Sequence, residues 1–322
     1  MKKLLCISLC LVLAAAALTG CSAVGKTVLT IGEAKVDSEI FAYYFDGVYA
    51  ATESEGGDLL DTGKIVDAAV DKCCEYVGTV TLFAQLNLRL SVDDKKAIAD
   101  DTEDIWTLYS EYYTAAGITK QTVHKIKEAE YMRKALLLYY FGEGSEYEVS
   151  EEEIEYYFDL TYVEFYAVNG YFTTVDEEGN TVELTEQAKA DLRAEFEAKR
   201  QKVANGAELS EVNGGNAVEP NFVAVSSTAY PEDFLAKVAE LEYDDPTVIE
   251  TTEYIFLVVR ADAKEGENSS YSSYRTSYIE ALRGGMLTDR LVHTGKDYGV
   301  DRENSRLDRI ADDVVDARNE RK

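Results

Sequence analysis

Histidine is almost missing from this 322-residue chain; His124 and His293 are the only two. Neither has a motif around it. That argues against a Ser-His-Asp or Cys-His site, where an imidazole must reach the nucleophile. It equally leaves a zinc centre without its usual ligands. No glycine-rich phosphate loop is present, and no cofactor is expected. Cysteine is scarce as well. Cys6, Cys10 and Cys21 fall in or just after an N-terminal apolar run, which leaves Cys73 and Cys74. Adjacent cysteines in a helix point to different faces, so no disulfide framework is expected. Basic residues are outnumbered, 32 against 61 acids, for a formal charge of −29. Such a chain repels phosphate backbones and anionic headgroups, so nucleic acid is not an expected partner. The acid excess does not signal disorder, because 46% of the residues are apolar, an ordinary globular value. The length suggests two domains.

What is present begins with a leader. Lys2 and Lys3 precede an apolar run over residues 4–18, followed by Leu18-Thr19-Gly20-Cys21. A charged start, a short apolar stretch and small residues before a cut site describe a secretory signal. The run is too short to stay as a comfortable membrane span. The Leu-Thr-Gly-Cys ending resembles a bacterial lipobox. That resemblance implies a signal peptide over 1–20, cleavage before Cys21, and Cys21 as the lipid attachment residue. Two or three acyl chains, at about 0.8 kcal/mol per buried methylene, anchor stably. The implied location is the outer face of the cytoplasmic membrane, with membrane contact through the lipid on Cys21 alone.

Helical periodicity fills most of the first half. Residues 28–31 and 34–36 flank Gly32-Glu33 as two short strands around a tight turn. Asp37 or Ser38 caps a helix carrying Phe41, Tyr44, Phe45 and Val48. Ile65, Ala69, Cys73, Tyr76, Val80 and Phe83 form one apolar stripe on a long helix. Ser91 with Asp94 opens the next, to about residue 115, and Thr119 caps another through Val123, Ile126, Met132, Leu136 and Tyr139. The stretch 147–172 (YEVSEEEIEYYFDLTYVEFYAVNGYF) then changes period. Ser150 and Glu153 have capping-box spacing, with Ile154, Tyr157 and Phe158 on one face. Val163, Phe165, Ala167 and Asn169 alternate as a half-buried strand does. Beyond it the patterns are mixed. A hairpin is expected around Gly179-Asn180, a charged helix from Thr185 to about residue 204, and a short strand at 222–225. A helix is expected at Pro231 with Phe234, Val238 and Leu241. A central strand is expected at 254–260, then a polar linker over 264–273 and a last helix over about 274–292. The charged remainder is expected to fray.

Carboxylate pairs such as Asp93-Asp94, Asp100-Asp101 and Glu151–Glu153 read as solvated helix starts. Asp176 to Asn180 lacks EF-hand spacing. The 23 tyrosines include Tyr109, Tyr112, Tyr113 and Tyr-Tyr-Phe triplets starting at Tyr43, Tyr139 and Tyr156. These could line a groove for unfolded peptide, or pack the helical core with some rings at its rim.

Four segments in this order, TIGEAKVDSEIFAYYF, LRLSVDDKKAI, AAGITKQTVHKIKEAEYMRKALLLYYF and EVSEEEIEYYF, resemble the helical domain of PrsA-type foldase lipoproteins and SurA-type periplasmic chaperones. The resemblance covers most of residues 28–158. It implies an α+β fold: a mainly helical chaperone domain of N-terminal helices plus a returning C-terminal helix, with a smaller parvulin-like module between. The implied divisions are 21–160 for the helical domain, 161–265 for the parvulin-like module, 266–296 for the returning helix and 297–322 for a charged tail. A working parvulin carries one histidine in the strand matching 163–168 and another near 254–256. Both are absent here, so no catalytic residue carries over and the module looks degenerate. The implied function is a membrane-anchored extracytoplasmic chaperone whose partners are unfolded or newly secreted polypeptides. Two alternatives stay open: an active peptidyl-prolyl isomerase with a histidine-free mechanism, and a solute-binding surface lipoprotein. Absence of βαβ units weighs against the last.

Overall fold

The structure is a computed structural model that describes residues 26–266 and 269–321. The leader and Cys21 lie outside the described residues. The fold is mixed α+β and mainly helical. It forms two compact units, one of the residues up to Glu148 together with those from Ile279 onward, the other Val149–Tyr278.

The first unit opens with an antiparallel hairpin of β1 (Thr27–Ile31) and β2 (Ala34–Asp37). Gly32 turns it at φ 62°, a conformation that side chains disfavour. Asp37 caps α1 (Ser38–Ser54), accepting from the Ile40 N–H at 3.0 Å. The expected apolar stripe forms the inner face of α2 (Thr62–Gln85), where Ile65, Ala69, Cys73 and Tyr76 are buried. At α3 (Val92–Ala115) the capping box is complete: the Asp94 N–H donates to Ser91 Oγ, and the Ser91 N–H to Asp94 Oδ2. Thr119 caps α4 (Lys120–Phe141). Here an acid does unexpected work. Glu39 is only 5% exposed. Its Oε2 accepts from Thr119 Oγ1 and Thr122 Oγ1, both at 2.6 Å, and from the Thr119 N–H at 3.2 Å. A buried carboxylate from α1 therefore satisfies the start of α4, as the positive end of a helix favours.

The second unit starts with α5 (Glu151–Thr161), where Ser150 Oγ accepts from the Glu153 N–H. The 147–172 stretch therefore belongs to this unit from Val149 on, not to the helical domain up to residue 160. Its strand is β3 (Tyr162–Tyr171). A side hairpin of β4 (Thr173–Val175) and β5 (Thr181–Glu183) follows. Next come α6 (Glu186–Ala204), α7 (Leu209–Val212), β6 (Asn221–Ala224) and α8 (Phe234–Ala239). The unit's sheet is completed by β7 (Thr247–Glu250) and β8 (Tyr254–Ala261), in antiparallel order β6-β3-β8-β7. Alternation sorts the two faces. Val163, Phe165, Phe256 and Val258 pack with Phe234 and Val238 of α8. Val168, Ile255 and Leu257 pack with Phe196 of α6. Pro231 does not start α8; two residues intervene, and Asp233 stands at φ 61° before it.

The expected polar linker is more ordered than its composition suggests. It contains α9 (Ser270–Ser273), and Tyr271 meets Phe158 edge to face at 5.1 Å. The last helix of the sequence reading is α10 (Arg275–Asp297), so His293 lies within a helix rather than after one. The unit boundary falls inside α10, after Tyr278. The residues 297–322 are not a fraying tail. β9 (Val300–Arg302) adds a third strand to the opening hairpin, pairing with β1. α11 (Asn304–Arg321) buries Leu307, Ala311, Val314 and Ala317 in the helical core. Those four sit at spacings of four, three and three, one helical stripe. The surrounding charges hide it in a composition count. Arg318 fastens the helix to α1, with Asp46 Oδ1 at 2.6 Å and Glu53 Oε2 at 3.0 Å.

Candidate functional site

The helical unit contains an open cleft of ≈ 570 Å³. One wall is α1, which presents Tyr43, Tyr44, Gly47, Val48 and Ala51. Their spacings place them along one side of the helix. Tyr44 lies 5.8 Å from Tyr43, edge to face, and 6.2 Å from Tyr76 of α2. Gly47 leaves open space where a side chain would stand. Burial, reinforced by Tyr113 and Glu130, pushes the Tyr43 hydroxyl well above the usual phenol range. Burial does the same for Tyr44 and Tyr76. These rings are neutral, amphipathic surface at any physiological pH.

The floor is charged but closed on itself. Arg133 of α4 donates from Nε to Glu75 Oε1 at 3.0 Å and from Nη1 to Glu280 Oε2 at 2.8 Å. Its Nη2 donates to the Gly284 carbonyl at 3.2 Å and Thr288 Oγ1 at 3.0 Å. Lys72 holds the other Glu75 oxygen at 2.8 Å. Glu75 is 8% exposed. All three guanidinium nitrogens donate within the protein, so this network ties α4 to α2 and α10. Beside it, α2 and α10 cross at backbone distance. A Cβ on Gly78 would overlap the Leu291 carbonyl, and one on Gly295 the Cys74 carbonyl. The aromatic and aliphatic groups of this concave surface, beside the closed charge network, can bind apolar chain segments non-covalently.

The second unit has a separate pocket of ≈ 850 Å³ beside β8, β3 and α8. Tyr230, Tyr254 and Phe256 supply its aromatic wall, and Asn169 of β3 reaches it. β3 and β8 are paired, with Ala167 opposite Val258 and Asn169 opposite Phe256. Both histidines of the chain lie elsewhere, in the helical unit. Val163, Phe165, Phe256 and Val258 fill the face of this sheet that packs on α8.

Of the tyrosine groups, only the triplet starting at Tyr43 reaches the cleft. Tyr113 touches it through Tyr43, at 6.0 Å. Tyr112 donates to Asp46, and Tyr109 and Tyr112 lie under the Arg321 guanidinium. In the second triplet Tyr140 is buried and Tyr139 is 47% exposed; in the third Phe158 is buried and Tyr156 is 67% exposed. His124 is exposed, with Nδ1 3.3 Å from Thr102 Oγ1. Cys73 and Cys74 are free and buried in α2; burial, helped by Asp71, pushes the Cys74 thiol up to about 11. Asp176 braces its own turn, accepting from the Glu178 and Asn180 N–H groups at 2.9 and 2.8 Å. Sequence reading missed Glu75, Arg133, Tyr230 and Glu39. The only local signal was a charged residue interrupting an apolar stripe, which does not name its partner.

No family model matches the chain, and no curated protein matches it. Among solved structures, the foldase protein PrsA from Lactococcus lactis is 11% identical, with a TM-score of 0.38 over 90% of this chain and 99% of that one. PrsA from Streptococcus pneumoniae is 14% identical, with a TM-score of 0.34 over 91% and 94%. A peptidylprolyl isomerase (PrsA) from Bacillus anthracis is 10% identical, with a TM-score of 0.23 over 70% and 94%. With TM-scores below 0.5, these likenesses carry no weight for function.

Proposed function

We propose that this protein is a membrane-anchored extracytoplasmic chaperone that holds unfolded or newly secreted polypeptides by their apolar segments. The observation that carries the reading is the tyrosine-walled cleft of the helical unit. It is apolar enough to take client side chains and is braced by the Arg133 network. Holding needs no chemistry. A chaperone must only bind an exposed apolar segment and release it, and amphipathic tyrosine surface does this with little conformational entropy to lose. The leader and lipobox-like Cys21 give the chain its location: lipid on Cys21, outside the cytoplasmic membrane. Among the described residues no helix is long and apolar enough to cross a membrane, so in this reading the lipid is the anchor. Replacing Cys21→Ala should move the chain from the membrane fraction to the soluble one.

The direct test uses residues 22–322, which keep every described residue. Aggregation of an unfolding client is followed by light scattering, alongside cis-to-trans isomerisation of a proline tetrapeptide. Suppressed aggregation with no isomerisation is the expected outcome. Isomerisation above background would overturn the reading of the second unit as a degenerate parvulin, and unsuppressed aggregation would overturn the chaperone reading itself.

A further inference from the structure

We infer that the aromatic pocket of the second unit receives a cationic side chain, lysine or arginine, from an extended client polypeptide. The inference rests on the client-binding reading above and adds a chemical preference to it. The pocket's wall is a run of touching rings. Tyr230 stacks on Phe234 at 5.3 Å, Phe234 meets Phe256 at 4.3 Å, and Phe256 stacks on Tyr254 at 5.7 Å. Tyr171, 54% exposed, continues the run 5.4 Å from Tyr254. The volume, ≈ 850 Å³, suits a long side chain with its flanking residues, since ligand sites span about 300–1,000 Å³.

Charge decides the occupant. Glu232, Asp233 and Glu253 line the pocket and are exposed. Among the described residues none of the three has an ion pair. Glu250 is answered already, by Arg193 Nε at 3.1 and 2.9 Å. Lys237 is the one cation in the lining, so the pocket keeps an excess of unanswered carboxylates. The unit treats its other aromatic faces differently. Arg193 covers Phe172 at 5.0 Å, Arg260 covers Tyr243 at 4.5 Å, and Lys264 covers Phe158 at 5.8 Å. Among the described residues no cation stands over Tyr230, Tyr254 or Phe256. Aromatic faces with carboxylates at their rim complement an ammonium or guanidinium on an apolar stem. A carboxylate-bearing segment would meet like charge there.

The test is fluorescence anisotropy of three labelled extended peptides against residues 22–322. They alternate leucine with lysine, glutamine or glutamate. Salt of about 0.1 M limits charge effects to about 10 Å, which mutes the field of the acidic chain as a whole. The lysine peptide should bind about tenfold more tightly than the glutamine peptide, the scale of a desolvated cation–π contact with a carboxylate beside it. The triple variant Glu232→Gln, Asp233→Asn, Glu253→Gln should abolish that difference. Asparagine suits position 233 because it tolerates the left-handed backbone found there. A charge-matched control, Asp308→Asn, Asp312→Asn and Asp316→Asn on the exposed side of α11, should leave the preference intact. Equal loss in both variants, or no lysine preference in the original chain, overturns the assignment. Aggregation suppression is measured on the same samples. Its failure alone would count against the chaperone reading, and the peptide titration reports on the pocket independently.

Discussion

Consider Arg133→Met, which keeps most of the side-chain stem and removes the guanidinium. Glu280 is 42% exposed at its side chain and returns to water at little cost, whereas the Glu75 side chain is 10% exposed. Removing one partner of a buried pair typically costs about 3–5 kcal/mol, because the other charge stays buried. Lys72 remains on Glu75 at 2.8 Å but is itself half in solvent, so the expected loss is nearer about 2–3 kcal/mol. With a urea slope of about 2–3 kcal/mol per molar, the midpoint should fall by about 1 M. The chain has one tryptophan, Trp106, and it packs against the helical core. Its fluorescence therefore reports unfolding of this unit alone. The companion variant carries Glu75→Leu as well. Removing both charges should recover most of the loss, because no uncompensated carboxylate remains. A midpoint unchanged by Arg133→Met, or a double variant weaker than the single one, would refute this account of the network.

The other predictions use the same fluorescence. One swap made at two glycines should act with opposite signs: Gly78→Ala should lose about 1–3 kcal/mol by forcing α2 off α10, while Gly47→Ala, facing open space, should gain about 0.5–1 kcal/mol. Leu307→Ala should cost about 2–5 kcal/mol, since Leu307 is fully buried; a frayed tail would give no change. Alkaline stability carries a sign as well. Tyr43, Tyr44, Tyr76 and Tyr112 are all raised above 10.0, burial leading in each. A raised folded value means stability that is whole below pH 10 and lost above it. Tyrosinate absorbance should therefore show a group that titrates only as Trp106 reports unfolding, and a single smooth titration near 10 with the unit still folded would contradict the assigned burial.

How far the sequence carried varied with the kind of signal. Local rules worked where one element sufficed. Asp37, Ser91, Thr119 and Ser150 all cap as their spacing predicts, and the 254–260 run does form an inner strand. Signals diluted by charge failed. Four apolar residues of α11 are spread through a stretch dominated by acids and arginines, and β9 is only three residues long, so the composition read as solvated. Partners distant in sequence were not readable at all. Glu75 and Arg133 are 58 residues apart, and Arg133 and Glu280 are 147. The cleft was half legible. Two of its rings, Tyr43 and Tyr44, come from one triplet on α1 and the third, Tyr76, from α2, but nothing local told that triplet from the two whose exposed rings lie elsewhere.

The most direct test of the account places a benzophenone side chain at position 47, where Gly47 faces the cleft and leaves room for it. The labelled protein is irradiated with an unfolding client and, separately, with the same client folded. The account predicts a covalent adduct with the unfolding client only, displaced by excess apolar peptide. If aggregation is suppressed yet no adduct forms from position 47, clients bind somewhere other than this cleft, and the central claim fails.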